Sequence, residues 1–159
     1  MKPSRSGLNV CCDIFIINNC GIYTIEIKNY SKGVLHISND GCVKHNDIAE
    51  KEDVIMQSER HKVQLIKFLI EKSGNLEIKD IVKSAIVVAN NSIEIINETS
   101  YPIMRTGLIS TYVFDGEPVL SKNDIDRYAD MIVKDKKENY RPIFFMNIDA
   151  NTLNNILAN

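Results

Sequence analysis

Two runs rich in β-branched and aromatic residues, 11–17 and 21–29, flank the cluster Asn18-Asn19-Cys20-Gly21. Turn formers between two strand-length apolar runs close a tight antiparallel hairpin, which leaves this part of the chain few ways to pair. If Asn19 and Cys20 form the loop, Asn18 pairs with Gly21, and counting outward places Asp13 opposite Glu26. Strand side chains alternate between faces, so Glu26 and Lys28 project from the same side. Directly opposed residues have Cβ atoms roughly 4.5 to 5.5 Å apart. Asp13 and Glu26 are then close enough to share one divalent cation, with Lys28 beside them.

Beyond the hairpin, residues 33–38 suit a shorter third strand ending at Asn39-Asp40-Gly41, and 44–53 read as a polar loop. From Val54 the pattern becomes helical, with Ile55, Val63, Ile66, Phe68, Leu69 and Ile70 as its apolar face and a stop at Ser73-Gly74. Residues 81–89 read as a buried strand and 93–96 as another in the same core sheet. Ser121 followed by Asp124 is an N-terminal capping pattern for a second long helix, striped by Ile125, Tyr128, Ala129 and Ile132. A short extended segment at 143–148 and a last helical turn or two at 151–157 close the pattern. The expected class is α/β, a mixed sheet flanked by helices. A chain of 159 residues with no repeat or linker is read as one domain over 1–159, its core at about 10–135 and a C-terminal extension at 136–159.

The formal charge of -2 and pI near 5.9 exert no global pull on phosphate, so any nucleic-acid contact must come from a local basic patch. Lys2, Arg5, Lys32, Lys44, Arg60, Lys62 and Lys67 are its candidates, and ordinary solvated charges are an equally good reading of them. No apolar run approaches the roughly 20 residues that span a bilayer. The basic first residues lack the apolar core of a signal peptide, which makes the cytoplasm the expected location. Cys11, Cys12, Cys20 and Cys42 show no CxxC spacing and read as reduced thiols; a thiol or zinc protein would require their sulfurs to converge.

Two opposed carboxylates repel unless a cation or proton intervenes, and hard oxygen donors with room for water suit magnesium or manganese. Such a site performs phosphodiester hydrolysis when the metal polarises the phosphate and activates a water, and Lys28 is assigned an electrostatic role there. By spacing alone, Glu26 and Lys28 read first as residues of a solvated strand face, alternating with Tyr23, Ile25 and Ile27.

The run from Asp13 through Gly21-Ile-Tyr-Thr-Ile-Glu26-Ile-Lys28-Asn29 resembles the signature of the nuclease-related domain, NERD, a branch of the PD-(D/E)xK superfamily. An aspartate opens one strand, a Gly-Ile start opens the next, and Ile-Glu-x-Lys-Asn follows. Gln57, ahead of Ser58-Glu59-Arg60-His61, resembles the family's glutamine after the core strands, and Ile86-Val87-Val88 its following strand. The similarity covers roughly residues 10–135 and is densest at 13–29.

The resemblance implies a restriction-endonuclease-like fold and a Mg2+- or Mn2+-dependent nuclease acting on nucleic acid, with DNA the expected substrate. Asp13 and Glu26 would be metal ligands, Lys28 the catalytic lysine, and Gln57 a helix residue touching the site or the substrate backbone. The family usually carries a helix and a further strand before the aspartate, and only twelve residues precede Asp13 here. The helix is then absent, or supplied by the C-terminal segment, a homodimer or another partner. A domain that keeps the fold but only binds nucleic acid or protein is the alternative function. His36, His45 and His61 have no metal-pair spacing and are expected in ordinary roles, although His61 lies one helical turn beyond Gln57 and can face the same way.

Overall fold

The hairpin forms with the counted register. In the computed structural model, which describes Leu8 and residues 12–135 and 142–158, β1 (Ile14–Asn18) and β2 (Gly21–Lys28) pair antiparallel, with Asn18 opposite Gly21 and Ile14 opposite Ile25. Neither Asn19 nor Cys20 adopts a left-handed backbone. The turn is instead held by the buried Asn18 side chain, whose Oδ1 accepts from the Cys20 N–H at 2.8 Å and whose Nδ2 donates to the Val113 carbonyl at 2.8 Å. Gly21, at φ 155°, passes the Ile81 carbonyl so closely that a Cβ would meet it at 2.7 Å.

After the hairpin come β3 (Gly33–Ile37), β4 (Val43–His45), β5 (Ile48–Ala49), α1 (Val54–Ser73), α2 (Ile78–Ile81), β6 (Val82–Val88), β7 (Ile93–Asn97) and β8 (Ile103–Arg105). The chain then forms a 3-10 turn at Thr106–Leu108, α3 (Ile109–Val113), α4 (Lys122–Asp135), β9 (Ile143–Met146) and α5 (Ala150–Leu157). The main sheet has the order β8-β6-β2-β1-β9 and a second sheet the order β5-β4-β3-β7. β6 lies parallel to β2 and β9 parallel to β1. Mixed sheets flanked by helices make this the expected α/β class. Among the described residues no helix is long and apolar enough to cross a membrane.

Parity along the hairpin divides the interior. Phe15, Ile17 and Ile22 pack with Leu65, Leu69, Tyr128 and Ile132 under α1 and α4. Ile14, Ile16, Tyr23 and Ile25 face the other way, onto Ile109, Val113 and Leu153 of α3 and α5. A third cluster joins Leu35, Ile37, Val43 and Ile93 of the second sheet to Ile86 and Val88 of β6. Each fully buried isoleucine contributes roughly 1.5 to 3 kcal/mol relative to exposure, so β1, apolar over residues 14–17, is committed on both faces.

Helix ends follow local chemistry. Asp53 caps α1 by accepting from the Met56 N–H at 2.9 Å, and Gly74, at φ 72°, closes it with its N–H on the Ile70 carbonyl. Ser121 and Asp124 exchange side-chain to backbone hydrogen bonds at 3.1 and 3.2 Å at the start of α4, as the capping pattern requires.

Three expectations are corrected. The stretch 44–53 is not all loop: Asn46 and Asp47, at φ 51° and 63°, make the two-residue turn that joins β4 to β5. β7 pairs in parallel with β3 in the second sheet and does not extend the core sheet. The buried face of α1 is Val54, Ser58, His61, Leu65, Phe68 and Leu69, while Val63 is exposed. The expected extended segment and last helical turns near the end of the pattern form as the edge strand β9 and the helix α5. The expectations for Lys2, Arg5 and Cys11 lie outside the described residues.

Candidate active site

Glu26 and Lys28 stand on the α1 face of β2, in the seam between the core under α1 and α4 and the core shared with the second sheet. Asp13, just before β1, is anchored from three directions. Its N–H donates to the Ile25 carbonyl at 3.1 Å, its carbonyl accepts from the Ile143 N–H at 3.0 Å, and its Oδ2 accepts from the Ile27 N–H at 2.7 Å. Because Ile14 is opposite Ile25, the next step along the ladder sets Asp13 across from Glu26. Oδ2 is thus committed to the hairpin backbone, and a further ligand would be taken by Oδ1.

Glu26 is not on a solvated face: it is 4% exposed. Its Oε1 receives the Nδ1–H of His61, a residue itself 8% exposed on the buried side of α1. Burial pushes the Glu26 carboxyl above the usual carboxylate range; the hydrogen bond and charge of His61 pull the other way, Asp13 pushes it up further, and Lys28 lowers it.

Lys28 is half-buried at the mouth of this seam. Its ammonium donates to Gln57 Oε1 at 2.9 Å and to Glu52 Oε2 at 3.3 Å. Gln57 lies in the first turn of α1, where unpaired N–H groups and the helix dipole favour a negative ligand such as phosphate. Behind the site, Tyr101 OH donates to Ser58 Oγ at 2.8 Å and lies 2.6 Å from Ser84 Oγ, so these buried hydroxyls satisfy one another.

The structure therefore brings together Asp13, Glu26, Lys28 and Gln57, and adds two residues that the sequence reading left outside, His61 and Glu52. The signal for His61 was present as the ladder 54, 58, 61, 65, 68, whose 4-3-4-3 spacing marks a buried face even though two of its members are polar. Glu52 had no such signal, because the second sheet decides where the approach to α1 runs. Among the described residues the cysteines do not converge: Cys12 lies in the core under α1, Cys20 at the hairpin turn, and Cys42 is exposed beside the second sheet. Among the described residues no three His, Cys, Asp or Glu side chains form a ready-made metal cage.

Two carboxylates with hard oxygens, one raised by burial and by the other's charge, are a donor set that a divalent cation would neutralise. Magnesium is commonly bound by one or two carboxylates, the remaining positions going to water and substrate phosphate, and the oxygen pair of Asp13 and Glu26 fits that class of ion. Residues 5–89 match the family model described as nuclease-related domain. No curated protein and no solved structure matches the chain.

Proposed function

The chain belongs to the nuclease-related domain family, and we propose that it is a Mg2+- or Mn2+-dependent nuclease that hydrolyses phosphodiester bonds in DNA. The observation that carries this reading is the buried Glu26 carboxylate across the hairpin from Asp13, with the Lys28 ammonium on the same strand face. Asp13 and Glu26 would hold the cation. When bound, it supplies Lewis-acid polarisation of the scissile phosphate and a nucleophilic water at neutral pH.

The chain's own residues do the rest. Lys28 stabilises negative charge that grows on the phosphate in the transition state, where a fixed cation in a partly dry seam acts more strongly than in water. Gln57 holds the ammonium in place through its 2.9 Å hydrogen bond. The first turn of α1 directs its dipole at the same phosphate. Lys32, Lys44, Arg60, Lys62 and Lys67 are the described candidates for the backbone-binding rim, offsetting the acidic net charge locally.

Incubation of the purified chain with single- and double-stranded DNA and RNA, with Mg2+, Mn2+ or chelator, tests the reading. Cleavage that requires metal and disappears in Asp13→Ala and Lys28→Ala is expected. Equal cleavage by those variants would sink it, and retention of nucleic acid with neither cleavage nor metal binding would favour a binding domain built on the same fold.

A further inference from the structure

β2 and α1 run in opposite directions within the β2-α1-β6 crossover, and their repeats nearly coincide. Residues two apart on a strand advance roughly 6.6 to 6.8 Å, and residues four apart on a helix about 6.0 Å. Two positions on β2 can therefore each meet a residue of one helical row. That is what the site shows: Gln57 Oε1 accepts from Lys28 Nζ at 2.9 Å, and His61 Nδ1–H reaches Glu26 Oε1.

We propose that His61 is a positioning residue of the active site: it fixes the Glu26 carboxylate by engaging Oε1, so that a cation shared with Asp13 is taken by Oε2. The inference rests on the reading of Asp13 and Glu26 as cation ligands given above. Gln57 serves Lys28 in the same way, which makes α1 a two-point clamp on the strand that carries the chemistry.

Satisfying buried polar atoms in general does not account for the pattern. Thr24, two residues before Glu26 on the same face, is 1% exposed, and its Oγ1 has no hydrogen-bond partner among the described residues. The fold leaves that hydroxyl unpaired, yet spends two polar positions of α1, one of them on its buried face, on Glu26 and Lys28. A histidine in a helix interior, at a position that Leu or Ile would pack well, is retained at a cost in apolar burial. Groups that orient a metal-binding carboxylate from behind typically control metal affinity 10- to 100-fold.

Mn2+ titration of the full chain by calorimetry, in wild type, His61→Leu, His61→Asn and Glu26→Gln, tests the inference. His61→Leu fills the space without a donor and is expected to weaken Mn2+ roughly 10- to 100-fold with the circular dichroism unchanged. His61→Asn, whose amide N–H stands near the place of Nδ1, is expected to regain most of the affinity. Wild-type binding matched by His61→Leu would overturn the inference and leave the cation reading intact. No Mn2+ binding by wild type, or full binding by Glu26→Gln, would overturn that reading and the inference with it.

Should His61→Leu not fold, long-range 15N–1H correlation of the His61 ring in the wild-type chain decides the matter. An Nδ1–H hydrogen bond that persists when Mg2+ is added supports the proposal. Its loss on adding Mg2+ overturns it.

Discussion

Gln57 Oε1 lies 2.9 Å from Lys28 Nζ, so the first turn of α1 holds the ammonium that stands on the Glu26 side of β2. Gln57→Leu removes the acceptor and keeps the bulk. The expected result is a drop in kcat of roughly tenfold or more with KM little changed, since misplacing a catalytic group by a fraction of an ångström acts on the transition state. Steady-state cleavage kinetics check it, and an unchanged kcat would rule out the positioning role.

Glu52 occupies the other side of the same ammonium at 3.3 Å, and its side chain is 55% exposed. An ion pair so open to water is worth at most about 1 kcal/mol, so Glu52→Gln should leave the melting temperature nearly unmoved. Removing a negative charge next to the lysine should still lower KM for DNA severalfold at low salt, an advantage that fades as salt rises. KM measured at two ionic strengths tests this, and a rise in KM would contradict it.

Asn18→Ala removes a side chain that satisfies both the Cys20 N–H and the Val113 carbonyl. Two buried backbone groups lose a partner, a loss of about 1 to 3 kcal/mol. Urea unfolding should show it as a lower midpoint at constant slope. Cleavage should suffer as well, because this turn sets the register that brings Asp13 to Glu26.

Tyr112 donates its hydroxyl to the Ser84 carbonyl at 3.0 Å, and burial pushes its pKa from 10.0 to about 12. The unfolded chain gives up this proton near pH 10.0, whereas the folded chain keeps it to about 12. The tyrosine's contribution is therefore complete below the first value and disappears as pH rises through the second. Tyr30 is likewise raised to about 12. Stability should fall steeply across this window, and Tyr112→Phe should make the fall shallower. Denaturation midpoints over the alkaline range test it, and parallel curves for the two proteins would refute it.

The hairpin register was legible because a period of two and a two-residue loop leave a single count from Asn18 outward. The ends of α1 and α4 were legible because caps are local chemistry, written within four residues. The second sheet was not. β4 and β5 are too short to show alternation, and Asn46-Asp47 declares its turn only through the left-handed backbone that both residues adopt. β7 and β9 pair in parallel with strands far away in sequence, and an apolar run carries no mark of which partner it will meet. The phase of α1 was misjudged because Ser58 and His61 hold core positions, and a hydrophobicity count passes over polar residues that are buried for a partner. Where local reading failed at the site, it failed at the residues that complete it.

One edge of β1 is closed by its immediate neighbour in the chain, the other by β9, the last strand in the described order. While the chain is being made, residues 14–17 of β1 are already an apolar run and the strand's outer row of backbone donors and acceptors is unsatisfied. A nascent or C-terminally clipped molecule therefore carries an open, sticky ribbon next to Asp13, the kind of edge that recruits other chains. The segment 142–158 thus covers that edge as well as anchoring Asp13, and its proteolytic loss would be felt first in solubility.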